Sequence, residues 1–106
     1  MRAPEAYTVE MAYAIIQSRK DRPTANSYSS QLLAQGTPAI AQKLGEQAME
    51  TVIQAMRHDR VRLAEESADL LYHLLVLWAD AGLQPQDVYD LLAERMSSAP
   101  SKIRAA

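Results

Sequence analysis

Apolar residues recur along most of this chain at intervals of three and four, the spacing of one face of an α-helix. Val9, Ala12, Tyr13 and Ile16 predict a first helix over about 6–20, begun at Thr8 or Pro4, with Arg19 and Lys20 at its negative end. A polar connector containing Pro23 leads to a short helical piece over 28–35, which carries Leu32 and Leu33 and is closed by Gly36. Thr37-Pro38 reads as an N-cap followed by the first helical residue. Ile40, Leu44, Ala48, Val52, Ala55 and Met56 then hold the period to about Arg57. Gly45 interrupts that helix at a cost of about 1 kcal/mol relative to Ala. It suggests a close approach there, by backbone, by a ligand or by a packing neighbour. His58-Asp59-Arg60 is a turn with Asp59 placed to cap the next helix, over about 60–81. The second half of that helix, residues 70–78, is apolar on nearly every side. A helix of that kind is covered on every side, which in so short a chain points to a partner subunit. Gly82 ends it. Gln84 as cap and Pro85 at the first position open a last helix to about Met96, with Leu83 placed to staple against Val88. Residues 97–106 have little to bury and read as a frayed tail.

Composition narrows the class. Of 106 residues, 48% are hydrophobic, yet there is no Phe and one Trp. The apolar supply is Leu, Ala, Ile, Val and Met, which suits helices. Three glycines and five prolines leave little material for β-turns. The expectation is one all-α domain over 1–106, with a core at about 6–96. It is a small bundle of four to five helices, completed by oligomerisation. A net charge of −2 argues against a nucleic-acid partner, which calls for a basic face. The absence of cysteine excludes disulfides, thiolate zinc and a nucleophilic thiol. Residues 1–10 do not resemble a secretion signal, and the longest apolar run, 74–79, is too short for a membrane span. A cytoplasmic protein is expected.

The candidate chemistry lies between Gly45 and Asp69. Glu46 and Glu50 fall about 40° apart on one helix, Glu66 and Asp69 about 60° apart on the next. Two such pairs can face each other across an antiparallel seam. Four carboxylates in one space repel unless something positive sits between them. Mg²⁺ is the simplest candidate, because it takes oxygen ligands and keeps positions for water and phosphate. Acids at helical spacing are also commonplace on solvated faces, and Glu65 and Glu66 would in any case suit the start of their helix. His73 continues the stripe four residues after Asp69. A lone His on a mostly apolar helix reads first as a hydrogen-bonded core or interface residue. No Glu-x-x-His pair is present, which argues against a di-iron site. There is no Gly-rich phosphate loop either, so phosphate recognition would fall to metal ions and single cations. Lys43 shares a face with Glu46. Arg19, Lys20 and Arg22 form one basic knot; Arg57, Arg60 and Arg62 form another that reads as surface charge.

The stretch Gln42-Lys43-Leu44-Gly45-Glu46-Gln47-Ala48-Met49-Glu50, followed by Glu65-Glu66-Ser67-Ala68-Asp69-Leu70-Leu71-Tyr72-His73-Leu74-Leu75-Val76-Leu77, resembles the phosphoribosyl-ATP pyrophosphohydrolases of histidine biosynthesis. These are a branch of the all-α (MazG-like) nucleotide pyrophosphohydrolases, whose wider signature is Glu-Glu-x-x-Glu, a spacer, then Glu-x-x-Asp. Ala68 to Leu77 carries the likeness to the histidine branch, and Ser27-Tyr28-Ser29 through Gly36 is similar to a Ser-Tyr-Thr segment there. The likeness covers about 15–94. It implies hydrolysis of phosphoribosyl-ATP to phosphoribosyl-AMP and pyrophosphate, by a dimer or dimer of dimers. It also implies Mg²⁺ held by Glu46, Glu50, Glu66 and Asp69, substrate contacts from Lys43 and Gln47, and Glu46 as acceptor of the water's proton. One position departs: the signature's second Glu is Gln47 here, which brings no charge to a metal. Two alternatives follow, a house-cleaning pyrophosphohydrolase of (deoxy)nucleoside triphosphates and a non-catalytic helical relative.

Overall fold

Side chains that satisfy the free N–H groups of the first turns set most of the helix starts. The computed structural model describes residues 8–98. Helix α1 (Val9–Asp21) begins at Thr8, whose hydroxyl accepts from the Met11 N–H at 3.3 Å. The alternative start at Pro4 lies outside the described residues. Helix α2 (Tyr28–Gln35) is capped by Ser27, which accepts from the Ser30 N–H. Helix α4 (Arg60–Ala81) is capped as expected, Asp59 accepting from the Arg62 N–H at 3.0 Å. Helix α5 (Pro85–Ser98) runs two residues beyond the expected end. Its start is the expected one, Pro85 following Gln84, and the Asp87 carboxylate reaches back to accept from the Gln84 N–H at 2.9 Å. No strand is present among the described residues.

Helix α3 (Thr37–Met56) departs from the expected start by one residue. Gly36, at φ 91°, holds the cap position, and Thr37 is already helical. An entry with that φ suits glycine and resists other residues. The Thr37 hydroxyl is thereby free to donate to the Asp80 carboxylate at 2.5 Å, tying the start of α3 to the end of α4. Helix α3 ends in a Schellman motif. The Asp59 N–H reaches the Gln54 carbonyl, the His58 N–H reaches that of Ala55, and His58 takes the left-handed position at φ 57°. Helix α4 closes the same way at Gly82, φ 74°.

The three-residue turn folds α3 and α4 into an antiparallel hairpin, the most extensive helix–helix contact among the described residues. The core lies at the α4 end of it. Tyr13 and Ile16 from α1, Leu32 from α2, and Ile40 from α3 close around Leu75, Val76 and Ala79 of α4. Two long-range bonds fasten α1 there: the Tyr13 hydroxyl donates to the Leu83 carbonyl at 2.9 Å, and Lys20 Nζ to the Ala79 carbonyl at 2.7 Å. Helix α4 is not covered on every side within one chain. Leu71 remains 42% exposed and Leu70, Leu74 and Leu77 are half-buried. Gly45 is also open. A Cβ built there would meet nothing within 4 Å, so neither backbone nor a packing neighbour within the chain accounts for it. Among the described residues no helix is long and apolar enough to cross a membrane.

Candidate functional site

Beyond the core, α3 carries Lys43, Glu46, Gln47 and Glu50 along one stripe, as the helical period requires. With Tyr28 from the start of α2 and His73 from α4, they line an open hollow of about 440 Å³. A slightly larger groove, about 520 Å³, lies between α1 and the start of α5, walled by Tyr13, Gln17, Pro85 and Tyr89. Its walls are mainly apolar and it lies away from the acids of the hairpin. The hollow on α3 is the one that gathers charge.

Its outer wall is loosely held. Lys43 Nζ stands 3.9 Å from Glu46 Oε1, both side chains more than half exposed. Gln42 donates to the other Glu46 oxygen at 3.1 Å. An exposed pair of this kind adds little to stability, so Lys43 and Glu46 remain available to a ligand. The inner wall is tighter. Gln47 Nε2 donates to the Glu66 carboxylate at 3.0 Å and to the Glu66 carbonyl at 3.1 Å, crossing the seam from α3 to α4. Thr51 supports the same joint, its hydroxyl 2.9 Å from the Gln47 carbonyl and 3.3 Å from that of Glu66.

The remaining wall is aromatic. Tyr28 stacks on Tyr72 at 6.1 Å between ring centroids, and the His73 ring meets both edge-on. The Ser29 and Tyr72 hydroxyls are hydrogen-bonded to each other. Burial pushes the Tyr72 phenol above its ordinary pKa, against the opposing pull of the Ser29 bond. His73 Nδ1 lies 2.7 Å from the Asp69 carbonyl, which can only accept, so the proton sits on Nδ1. In the neutral ring Nε2 is then left to accept from the Tyr28 hydroxyl at 3.3 Å.

Of the residues singled out in the sequence, Lys43, Glu46, Gln47 and Glu50 therefore share the hollow. Glu66 joins them through Gln47, whereas the exposed Asp69 is not part of the lining. Two wall residues were underweighted. His73, read as an interface or core residue, is hydrogen-bonded as that reading requires but also faces the hollow. Tyr28 was not singled out as a site residue, although Ser27-Tyr28-Ser29 was the signal that could have found it. The oxygen donors suit a hard divalent cation. Yet among the described residues no three Asp, Glu or His side chains come together in a group that would hold a metal. One Glu66 oxygen is already taken by an amide. As they stand, these side chains do not form the cage of a resident ion.

The sequence model of the phosphoribosyl-ATP pyrophosphohydrolase family matches residues 9–96. The chain is also similar to curated proteins named phosphoribosyl-ATP pyrophosphatase. That of Azospirillum brasilense is 53% identical over 90 residues, which cover 85% of this chain and 81% of the relative. That of Paramagnetospirillum magneticum is 47% identical over 93 residues, covering 88% and 85%. A third, from Sulfurisphaera tokodaii, is 42% identical over 88 residues, covering 83% and 94%.

Proposed function

The chain belongs to the phosphoribosyl-ATP pyrophosphohydrolase family, and on that premise we propose that it hydrolyses phosphoribosyl-ATP to phosphoribosyl-AMP and pyrophosphate, the second step of histidine biosynthesis. The observation that carries the reading is the family match over residues 9–96, which takes in the whole α3–α4 hairpin and every residue lining the charged hollow. Water adds across the α–β phosphoanhydride, its oxygen going to phosphorus as the bridging P–O bond breaks. Such a transfer calls for positioning and neutralised charge more than for covalent chemistry by the protein. Lys43, at the rim, meets phosphate oxygens. Glu46, beside it and exposed, accepts the proton of the attacking water. Gln47 lies on the substrate side of the hairpin as well, at the inner wall.

Mg²⁺ is the counter-ion we propose, with Glu46, Glu50, Glu66 and Asp69 as its oxygen donors. The hard oxygen chemistry of these side chains supports it. When bound, the ion offsets the negative charge of the polyphosphate. We further propose a homodimer, or a dimer of dimers, working in the cytoplasm. Met49, Val52, Ile53 and Met56 form an apolar stripe on α3, between 38% and 75% exposed, that a second copy would cover. Deletion of the gene should make its host dependent on added histidine, with rescue by the wild-type chain and not by Glu50→Ala. Growth of the deletion strain without histidine would overturn the proposal.

A further inference from the structure

The Gln47–Glu66 joint has a chemical consequence at the hairpin seam. Gln47 Nε2 faces two oxygens of Glu66, one carboxylate and one carbonyl, at 3.0 and 3.1 Å. Both are acceptors, so the amide orientation is settled by its partners: only an NH₂ group can face them. Both side chains are half-buried. A carboxylate at position 47 would set its own oxygen against those two, three acceptors meeting with no hydrogen among them. That arrangement holds only with a proton or a cation between the oxygens. Gln47 supplies from its own N–H groups what a cation would otherwise supply. Thr51, one turn along, bridges the two helices of the seam in the same way without charge.

We infer that Gln47 is a positioning residue that holds Glu66 across the α3–α4 seam in place of a resident cation, so that the divalent ion enters with the nucleotide rather than waiting in the free protein. The second half rests on the proposed nucleotide hydrolysis; the first half stands without it. The Glu66 carboxylate keeps its other oxygen free, so pinning it leaves a donor in place for an incoming ion.

The test uses the full chain, stripped of metal, in melting and Mn²⁺-binding experiments without substrate. The wild type should melt at the same temperature in EDTA and in Mg²⁺, and adding it to Mn²⁺ should leave the free-ion EPR signal undiminished. Gln47→Glu should melt roughly 5 °C lower in EDTA, recover in Mg²⁺, and take up Mn²⁺. Stabilisation of the wild type by Mg²⁺, Mn²⁺ uptake by the wild type, or a Gln47→Glu variant indifferent to Mg²⁺ would each overturn the inference. If Gln47→Glu does not fold in either medium, Gln47→Met decides, since it keeps the length and removes the N–H groups. It should lower kcat with little change in KM, and wild-type kcat in that variant would contradict the role. A wild-type chain that behaves as stated yet releases no pyrophosphate defeats the proposed activity and leaves Gln47's hold on Glu66 standing.

Discussion

Glu50 and Asp69 stand on facing helices of the hairpin, both exposed and neither in an ion pair with a cation among the described residues. Side chains so placed contribute little to folding, so their removal reads on chemistry. Replacing either with Ala should lower kcat/KM by at least about a hundredfold, the scale for losing one electrostatic contact to a transition state. The melting temperature should stay or rise slightly. Steady-state pyrophosphate release and calorimetry on the same preparations check both, and unfolding of either variant would mark the residue as structural. At this scale the sequence was partly legible. Spacing alone put Glu46 and Glu50 on one face, because the helical period is fixed. It could not show that Gln47 spends its amide on Glu66, since that contact depends on the register between two helices. Nor could it show that Gly45 faces open space rather than a neighbour.

Helix boundaries were legible wherever a side chain makes the cap or a glycine ends the helix, as at Asp59 and Gly82. They were less so where the backbone does the work. Gly36 moved the cap one residue ahead of Thr37, and His58 took a left-handed position usually left to glycine. Between elements, the joint of α2 to α4 hangs on the buried Ser29 hydroxyl and the Tyr72 phenol. Tyr72→Phe should cost about 1–3 kcal/mol at neutral pH by leaving the Ser29 hydroxyl unpartnered. It also has a pH signature. Burial raises the folded-state pKa of Tyr72 above the usual value of about 10. The folded chain therefore holds the phenolic proton more tightly than the unfolded one. That stabilisation is complete below about pH 10 and declines as pH rises through the raised value. Tyr13, likewise raised by burial and by the nearby Asp87 charge, acts in the same direction. Alkaline melting curves of Tyr72→Phe should thus lose less stability above about pH 10 than the wild type, without becoming flat. An identical alkaline decline in both would contradict this.

For the molecule as a whole, the all-α bundle was readable from the three- and four-residue period and the lack of turn-forming residues. The apolar run of α4 points to a partner subunit; within one chain Leu71 is 42% exposed there. The broader uncovered stripe, however, lies on α3, where Met49, Val52, Ile53 and Met56 are interrupted by Glu50, Thr51 and Gln54 and so do not stand out as a run. Val52→Asp, at a position 54% exposed in one chain, should leave the fold within about 0.5 kcal/mol. It should also shift the species seen by sedimentation from dimer to monomer; a wild type already monomeric would refute the shared interface. The central claim concerns the reaction. Purified chain, given phosphoribosyl-ATP across a Mg²⁺ titration, should release pyrophosphate and phosphoribosyl-AMP in equal amounts, and should cleave deoxynucleoside triphosphates far more slowly. No pyrophosphate at any Mg²⁺ concentration, or a preference for the deoxynucleotides, would contradict it.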